Sequence, residues 1–400
     1  MEASRQGNFE FSLKWQSRYA KHVDRFYISR VNLWRDYFPG HFGETIARIS
    51  VGETLEKAFE PGTIVDPFSR YRIYKIPKRK LNLEQLAEKG VHLQTGRFYP
   101  RFFLAGIGFT SGDARPFRVL ENDAESVVID INHPLHSFPL TLTATMIKEL
   151  PQRFERGGSS NDIAYILSEN GPGLQAAPET FETDFLSDKP FERDNDTDDR
   201  AFYKTARLVD HIDQTARDQL QSLYSRFLKP DMKILDLMAS WNSHLPRQHQ
   251  GAEITGLGLN EEELEKNPAL SHRIRHDLNA SPVLPFADKQ FDIAVCTVSI
   301  EYLINPVAVI KEVARVLKPG APLIISFSDR WFPPKVTRIW TELHPFERQG
   351  LVIDFLRQSE QFEALHTESI RGYPRSAGDP YFKQRHESDP VFAVWGFKAA

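Results

Sequence analysis

From about Phe9 to Leu150 apolar and polar residues alternate in short runs, as in Glu10–Trp15 (EFSLKW), Ser126–Ile131 (SVVIDI) and Leu140–Ile147 (LTLTATMI). Period-two alternation rich in β-branched residues predicts strands. The pattern breaks between Pro151 and Arg200, at GGSSN, ENGPG and DNDTDD. Such turn-forming and acidic clusters predict a linker, placed over 151–176. From Ala201 onward, helical-period segments of about ten to fifteen residues alternate with short apolar runs. The runs are Lys233–Met238, Glu253–Leu259, Phe291–Val298, Pro322–Phe327 and Val391–Phe397. Strands alternating with helices predict βαβ units and a mainly parallel sheet. Val307–Leu317 has helical apolar spacing, and Lys318-Pro319-Gly320 after it reads as a helix stop. The expected fold class is therefore α/β over 177–400, preceded by a β-rich (α+β) region over 1–150.

Composition narrows the function classes. The 400 residues are enough for two or three domains, and 26% charged with 40% hydrophobic residues is ordinary for a globular chain. A net charge of -4 gives no general drive toward nucleic acid or an anionic membrane. No run approaches the ~18 apolar residues of a membrane span. The start, MEASRQGNFEFSLKW, lacks a basic segment followed by an apolar core, so no secretory leader is expected and a cytoplasmic location is. One cysteine, Cys296, rules out an internal disulfide and a cysteine-cluster metal site. It lies inside the apolar run IAVCTV, which reads as inert core. No metal site is expected.

The second half carries the sharper chemistry. In doubly wound sheets the ligand sits outside the carboxyl ends of the strands, and a glycine turn after the first strand lets the backbone approach it. Here KILDL runs into MASWNSHLP, with Ala239 and Ser240 in that turn and no glycine. The end of the second strand usually offers an acid to ribose hydroxyls. Gly258 falls at that place in GLGLN, leaving Asn260 as the nearest polar substitute.

The string DLNASPVLPFADKQFDIAVCTVSIEYLINPVAVIKEVARVLKPGAPLIISF, from Asp277 to Phe327, resembles the class I S-adenosylmethionine methyltransferases: adenine loop, fourth strand, helix and fifth strand in order. More narrowly, ILDLMASWNSHLP, GLGLNEEELEKNP and FYKTARLVDHIDQTA resemble a branch with a Trp-x-Ser-His-Leu-Pro turn. The resemblance implies a Rossmann-like domain with S-adenosylmethionine as cofactor and an unknown methyl acceptor. Carried over, Asp236, Met238, Ala239 and Ser240 line the methionine end of the cofactor, and Asn260 sits by the ribose. Asp277, Leu278 and Asn279 hold the adenine, and Thr297 and Ser299 lie below the sulfonium. A base is needed only when the acceptor keeps its proton at neutral pH. The candidates are His244, Tyr302 and His211, the last on a helix expected over RLVDHID.

In the first half, SVVIDINHPLHSFPLTLTATMIKEL and ISVGETLEKAF resemble FKBP-type, SlyD-like peptidyl-prolyl isomerases. The stretch of about 75–131 resembles their inserted flap, which binds unfolded chains. Phe38, Phe42 and Tyr71 are candidate walls of the aromatic bowl. Leu142 stands where the family carries a bowl Phe, which favours polypeptide binding over isomerisation. Phe98, Tyr99, Phe102, Phe103 and Phe109 are expected to form an exposed partner-binding patch. The resemblances thus imply a methyltransferase with an FKBP-like partner-binding module. The alternative is an isomerase- or chaperone-type protein fused to a non-catalytic methyltransferase fold.

Overall fold

A computed structural model of the chain describes residues 4–81, 86, 90–105, 108–153, 159–169, 171–246 and 251–400. They divide into two compact units. The first comprises Met1–Asp188 with Glu342–Gly350, and the second Lys189–Thr341 with Leu351–Ala400.

In the first unit the elements are β1 (Ser4–Gln16), β2 (Ala20–Asn32), α1 (Phe42–Ile46), β3 (Thr54–Phe59), β4 (Ile73–Pro77), β5 (Phe98–Pro100), β6 (Pro116–Asn122), β7 (Ser126–Asp130), β8 (Leu140–Arg153) and α2 (Ile163–Ser168). An antiparallel sheet runs in the order β2-β1-β8-β3. Alternation puts Phe9, Phe11, Leu13 and Trp15 of β1 and Leu140, Leu142, Ala144 and Met146 of β8 into one core with Phe42, Ile46, Ile163 and Leu167. Leu142 and Phe42 are thus core residues, whereas Tyr71 is 75% exposed. The three residues expected to wall an aromatic bowl do not line one concavity, and nothing in their placement supports the FKBP-like reading.

The second sheet, β4-β7-β6-β5, is also antiparallel. Its core is built from Ile76, Tyr99, Phe103, Phe117, Val119, Val127 and Ile129, with Phe102 and Phe109 packed against it. Phe98, too, is buried. The expected exposed patch is therefore mostly interior: a small sheet has to bury its own aromatics to be stable. The partner-binding expectation loses the surface on which it rested.

The expected linker is also largely structured. Asp162 caps α2 by accepting from Tyr165 N at 3.0 Å, and Leu174 and Ala176 are buried. The unit boundary falls at Asp188 instead. Of the polar GGSSN stretch, Gly157 and Gly158 lie outside the described residues. The segment Glu342–Gly350, taken from the sequence as part of the second half, folds with the first unit. There Arg97 Nη1 donates to Glu342 at 3.0 Å, and Phe98 N donates to Glu347 at 2.8 Å. The Arg118 guanidinium stacks 4.1 Å from the Phe98 ring and donates to the Ala176 carbonyl at 2.6 Å.

The second unit contains α3 (Asp199–Phe202), α4 (Gln214–Ser225), β9 (Lys233–Leu237), β10 (Glu253–Gly258), α5 (Glu261–Lys266), β11 (His272–Arg275), β12 (Ile293–Thr297), α6 (Pro306–Val316), β13 (Pro322–Phe327), β14 (Phe362–Arg371) and β15 (Val391–Lys398). Its strands run in the order β11-β10-β9-β12-β13-β15-β14. The first five are parallel, and β15 is antiparallel to both its neighbours. This is a Rossmann-like sheet. All six residues of β13 are buried, as expected of a strand covered on both faces. Asn305 caps α6 with Pro306 in its first turn, and Val309, Ile310, Val313 and Ala314 form its buried face. The helix expected over RLVDHID does not form. Asp213 accepts from Thr215 N and Ala216 N, so the helix begins at Gln214 and His211 sits in a loop. No helix among the described residues is long and apolar enough to cross a membrane.

Candidate active site

The ligand crevice of such a sheet opens where the strand order reverses, here between β9 and β12. Both strands leave the sheet through a left-handed residue, Met238 at φ 55° and Val298 at φ 49°. Left-handed backbone favours glycine, and a β-branched residue there is strained. Met238 therefore does the work of the missing glycine. Backbone bonds hold the turns: Ala239 N donates to Leu257 O at 2.8 Å, and Val298 N to Ser326 O at 2.7 Å.

Two cavities meet at this place, one of about 110 Å³ and one of about 1090 Å³. His211, Val298, Tyr302 and Phe332 line both. The smaller one gathers Met238, Ala239, Ser240, Asn260, Asp277, Leu278, Asn279 and Ser299, all expected near the cofactor. Asp236 and Thr297, also expected there, line neither cavity. Asp236 is buried, and burial pushes its carboxyl up to about 7 while a hydrogen bond from Ser243 opposes the shift. Thr297 shares a 2.6 Å hydroxyl bond with Tyr224.

Several expected ligand contacts are already engaged. Asn260 accepts from Glu263 N at 3.0 Å, and its amide donates to the carbonyls of Tyr203 and Lys204 at 2.8 and 3.1 Å. The Asn279 amide donates to Asp199 and to Tyr302 O at 2.8 and 2.9 Å. Asp277 accepts from Asn279 N and Ala280 N at 3.0 and 3.1 Å, fixing its own turn. Trp241 Nε1 donates to Val209 O at 3.0 Å. These bonds tie the segment 199–211 over the smaller cavity. Arg207 lies in the same segment, its guanidinium 4.9, 5.5 and 5.0 Å from the rings of Phe202, Tyr203 and Phe332. Asp199, in the acidic run DNDTDD, is pinned by Arg193 and Lys335 at 2.9 and 2.8 Å.

The three base candidates separate. Burial lowers the pKa of His211, so its imidazole is neutral at pH 7, and it lines both cavities. Tyr302 also lines both, but burial pushes its hydroxyl well above the usual range, and it accepts from Phe332 N at 2.9 Å. It is a poor base. His244 lines neither cavity; burial lowers it to about 4, and its left-handed backbone at φ 53° marks a turn position. Cys296 is buried and its thiol is pushed up by burial, which leaves it inert.

The sequence reading missed Glu263, Arg207 and Phe332. Glu263 was legible only as part of a helix start: Asn260 caps the helix by accepting from Glu263 N, while the Glu263 carboxylate goes to Arg207 N and the Ser240 hydroxyl. Arg207 and Phe332 carry no local signal.

A family model described as a methyltransferase domain matches residues 239–325. A malonyl-[acyl-carrier protein] O-methyltransferase of Marinomonas is 26% identical over 83 residues, 19% of this chain and 31% of that protein. A sterol 4-C-methyltransferase of Caenorhabditis elegans is 38% identical over 81 residues, 19% of this chain and 24% of that protein. The chain thus spans less than a third of the length of these curated relatives. Among solved structures, a SAM-dependent methyltransferase of Aquifex aeolicus is 18% identical, with 44% of this chain and 88% of that one covered at a TM-score of 0.30. One from Methanosarcina mazei is 19% identical, with 44% and 97% covered, also at 0.30. The fold itself is read from the strand order and the family model. Residues 239–325, within the Rossmann-like sheet of the second unit, are thus similar to a methyltransferase domain.

Proposed function

We propose that the second unit transfers a methyl group from S-adenosylmethionine to an acceptor held in the larger cavity. The observation that carries this reading is the shared wall of His211, Val298, Tyr302 and Phe332 between a small cavity at the strand ends and a large one beside it. In-line transfer needs donor and acceptor in adjoining compartments, held close and shielded from water.

The residues present fit a nucleoside cofactor. Met238, Leu259 and Leu278 offer apolar walls, Gly258 offers bare backbone, and Asp277 and Glu263 offer acceptors. When bound, S-adenosylmethionine supplies an electrophilic methyl group on a sulfonium that is already a good leaving group. Ligand sites usually enclose about 300–1,000 Å³. At about 110 Å³ the smaller cavity is closed down by the segment 199–211, which has to shift to admit the cofactor. If the acceptor keeps its proton at neutral pH, His211 is the neutral imidazole positioned to take it.

Calorimetric titration of the full chain with S-adenosylmethionine and S-adenosylhomocysteine tests the reading. Micromolar-range binding of both is expected. A folded chain that binds neither overturns it.

A further inference from the structure

We infer that Glu263 is the residue that recognises the ribose hydroxyls of the cofactor, in place of the acid that position 258 cannot carry. This rests on the reading of the smaller cavity as the cofactor site. A Cβ at position 258 would lie 2.2 Å from the Ala239 carbonyl oxygen and 3.2 Å from Leu264, so no side chain fits at the end of β10. Ribose recognition in this kind of sheet uses a carboxylate that accepts from the hydroxyls, and it has to come from elsewhere on the cavity wall.

Asn260, the nearest polar residue, is excluded by its own bonds: its oxygen is taken by Glu263 N and its amide by two carbonyls. Three acids line the cavity: Asp199, Asp277 and Glu263. Asp199 is paired with Arg193 and Lys335, and Asp277 spends one oxygen, Oδ1, on two backbone amides of its own turn while Oδ2 stands 3.8 Å from Arg200. Glu263 differs. One oxygen accepts from Arg207 N at 2.7 Å and the other from the Ser240 hydroxyl at 2.7 Å. Arg207 N belongs to the segment that closes the cavity. Its N–H occupies the carboxylate as a ribose hydroxyl would, and it is released when that segment shifts. The carboxylate that accepts from Arg207 N is therefore the one placed to accept from the ribose hydroxyls.

The test compares S-adenosylhomocysteine with its 2′-deoxyribose counterpart, by calorimetry, on the full chain and on Glu263→Gln. A site built to hydrogen-bond a hydroxyl rejects the analogue lacking it, so the wild type is expected to prefer the ribose form by about tenfold or more. Glu263→Gln is expected to bring that ratio below about threefold, mainly by weakening the ribose ligand. Equal weakening of both ligands in a folded Glu263→Gln, or an unchanged ratio, overturns the inference while the cofactor reading stands. Failure of the wild type to bind either nucleoside overturns both.

Discussion

The carbonyl oxygen of Ala239 stands 2.2 Å from where a Cβ at Gly258 would have to be. Two turns, one after β9 and one at the end of β10, are pressed together so tightly that only glycine fits between them. The same contact rules out an acid at position 258 and sets the floor of the smaller cavity. Gly258→Ala is expected to cost about 1–3 kcal/mol of stability through overpacking. It is also expected to weaken S-adenosylhomocysteine binding, because Ala239 must move. A variant with wild-type melting temperature and affinity would show that the turn yields freely.

Asp277 both fixes a turn and faces the cavity, and two substitutions separate these roles. Asp277→Ala is expected to lower S-adenosylhomocysteine affinity by about 1–3 kcal/mol, the scale of a lost charge-assisted hydrogen bond. Asp277→Asn keeps an oxygen for Asn279 N and Ala280 N but removes the charge. We expect it to melt like the wild type and still bind more weakly. Calorimetry and a thermal melt decide: full affinity in the Asn variant would leave Asp277 only its turn.

Burial pushes the Glu347 carboxyl up to about 7, against the pull of Arg97 and Arg118. In the unfolded chain a Glu titrates near 4.3, roughly. A carboxyl whose folded pKa is raised binds protons on folding. Its contribution is complete below the unfolded value and is lost as pH rises through about 7. Relative to Glu347→Gln, which does not titrate but keeps an acceptor for Phe98 N, the wild type is expected to lose stability between pH 5 and 8. The size is on the order of 2–4 kcal/mol. His133, lowered to about 4 by burial, titrates in both proteins and cancels in the comparison. Urea denaturation across that range checks it; parallel pH curves would show that Glu347 stays ionised.

Because Glu342–Gly350 folds with the first unit, residues 1–188 alone lack the carboxylates that face Arg97 and Arg118. Leaving a buried charge without its partner costs about 3–5 kcal/mol. We expect 1–188 to aggregate or to melt well below the full chain, as judged by gel filtration and a thermal scan. A monomeric 1–188 with a sharp, undiminished melt would show that the segment is dispensable.

The sequence determined most of the second unit by itself. β9, β12 and β13 are covered on both faces, so they appear as continuous apolar runs between helices, and that is enough to predict a parallel sheet. Most of the residues expected at the cofactor line the smaller cavity, because they follow the strand ends in chain order. β14 was not legible. Thr367, Glu368 and Ser369 are fully buried polar residues, so the strand has no apolar run to announce it. Other features were decided only by tertiary structure. Whether Phe98, Tyr99 and Phe103 face solvent or a core depends on a sheet closing over them, which spacing alone does not reveal. The assignment of Glu342–Gly350 to the first unit depends on Arg97 and Arg118, more than two hundred residues away in the chain. Asn260, expected beside the ribose, is taken up by backbone groups for the same reason. A side chain's availability to a ligand is set by which backbone groups reach it first, and those of Tyr203, Lys204 and Arg207 arrive through the fold.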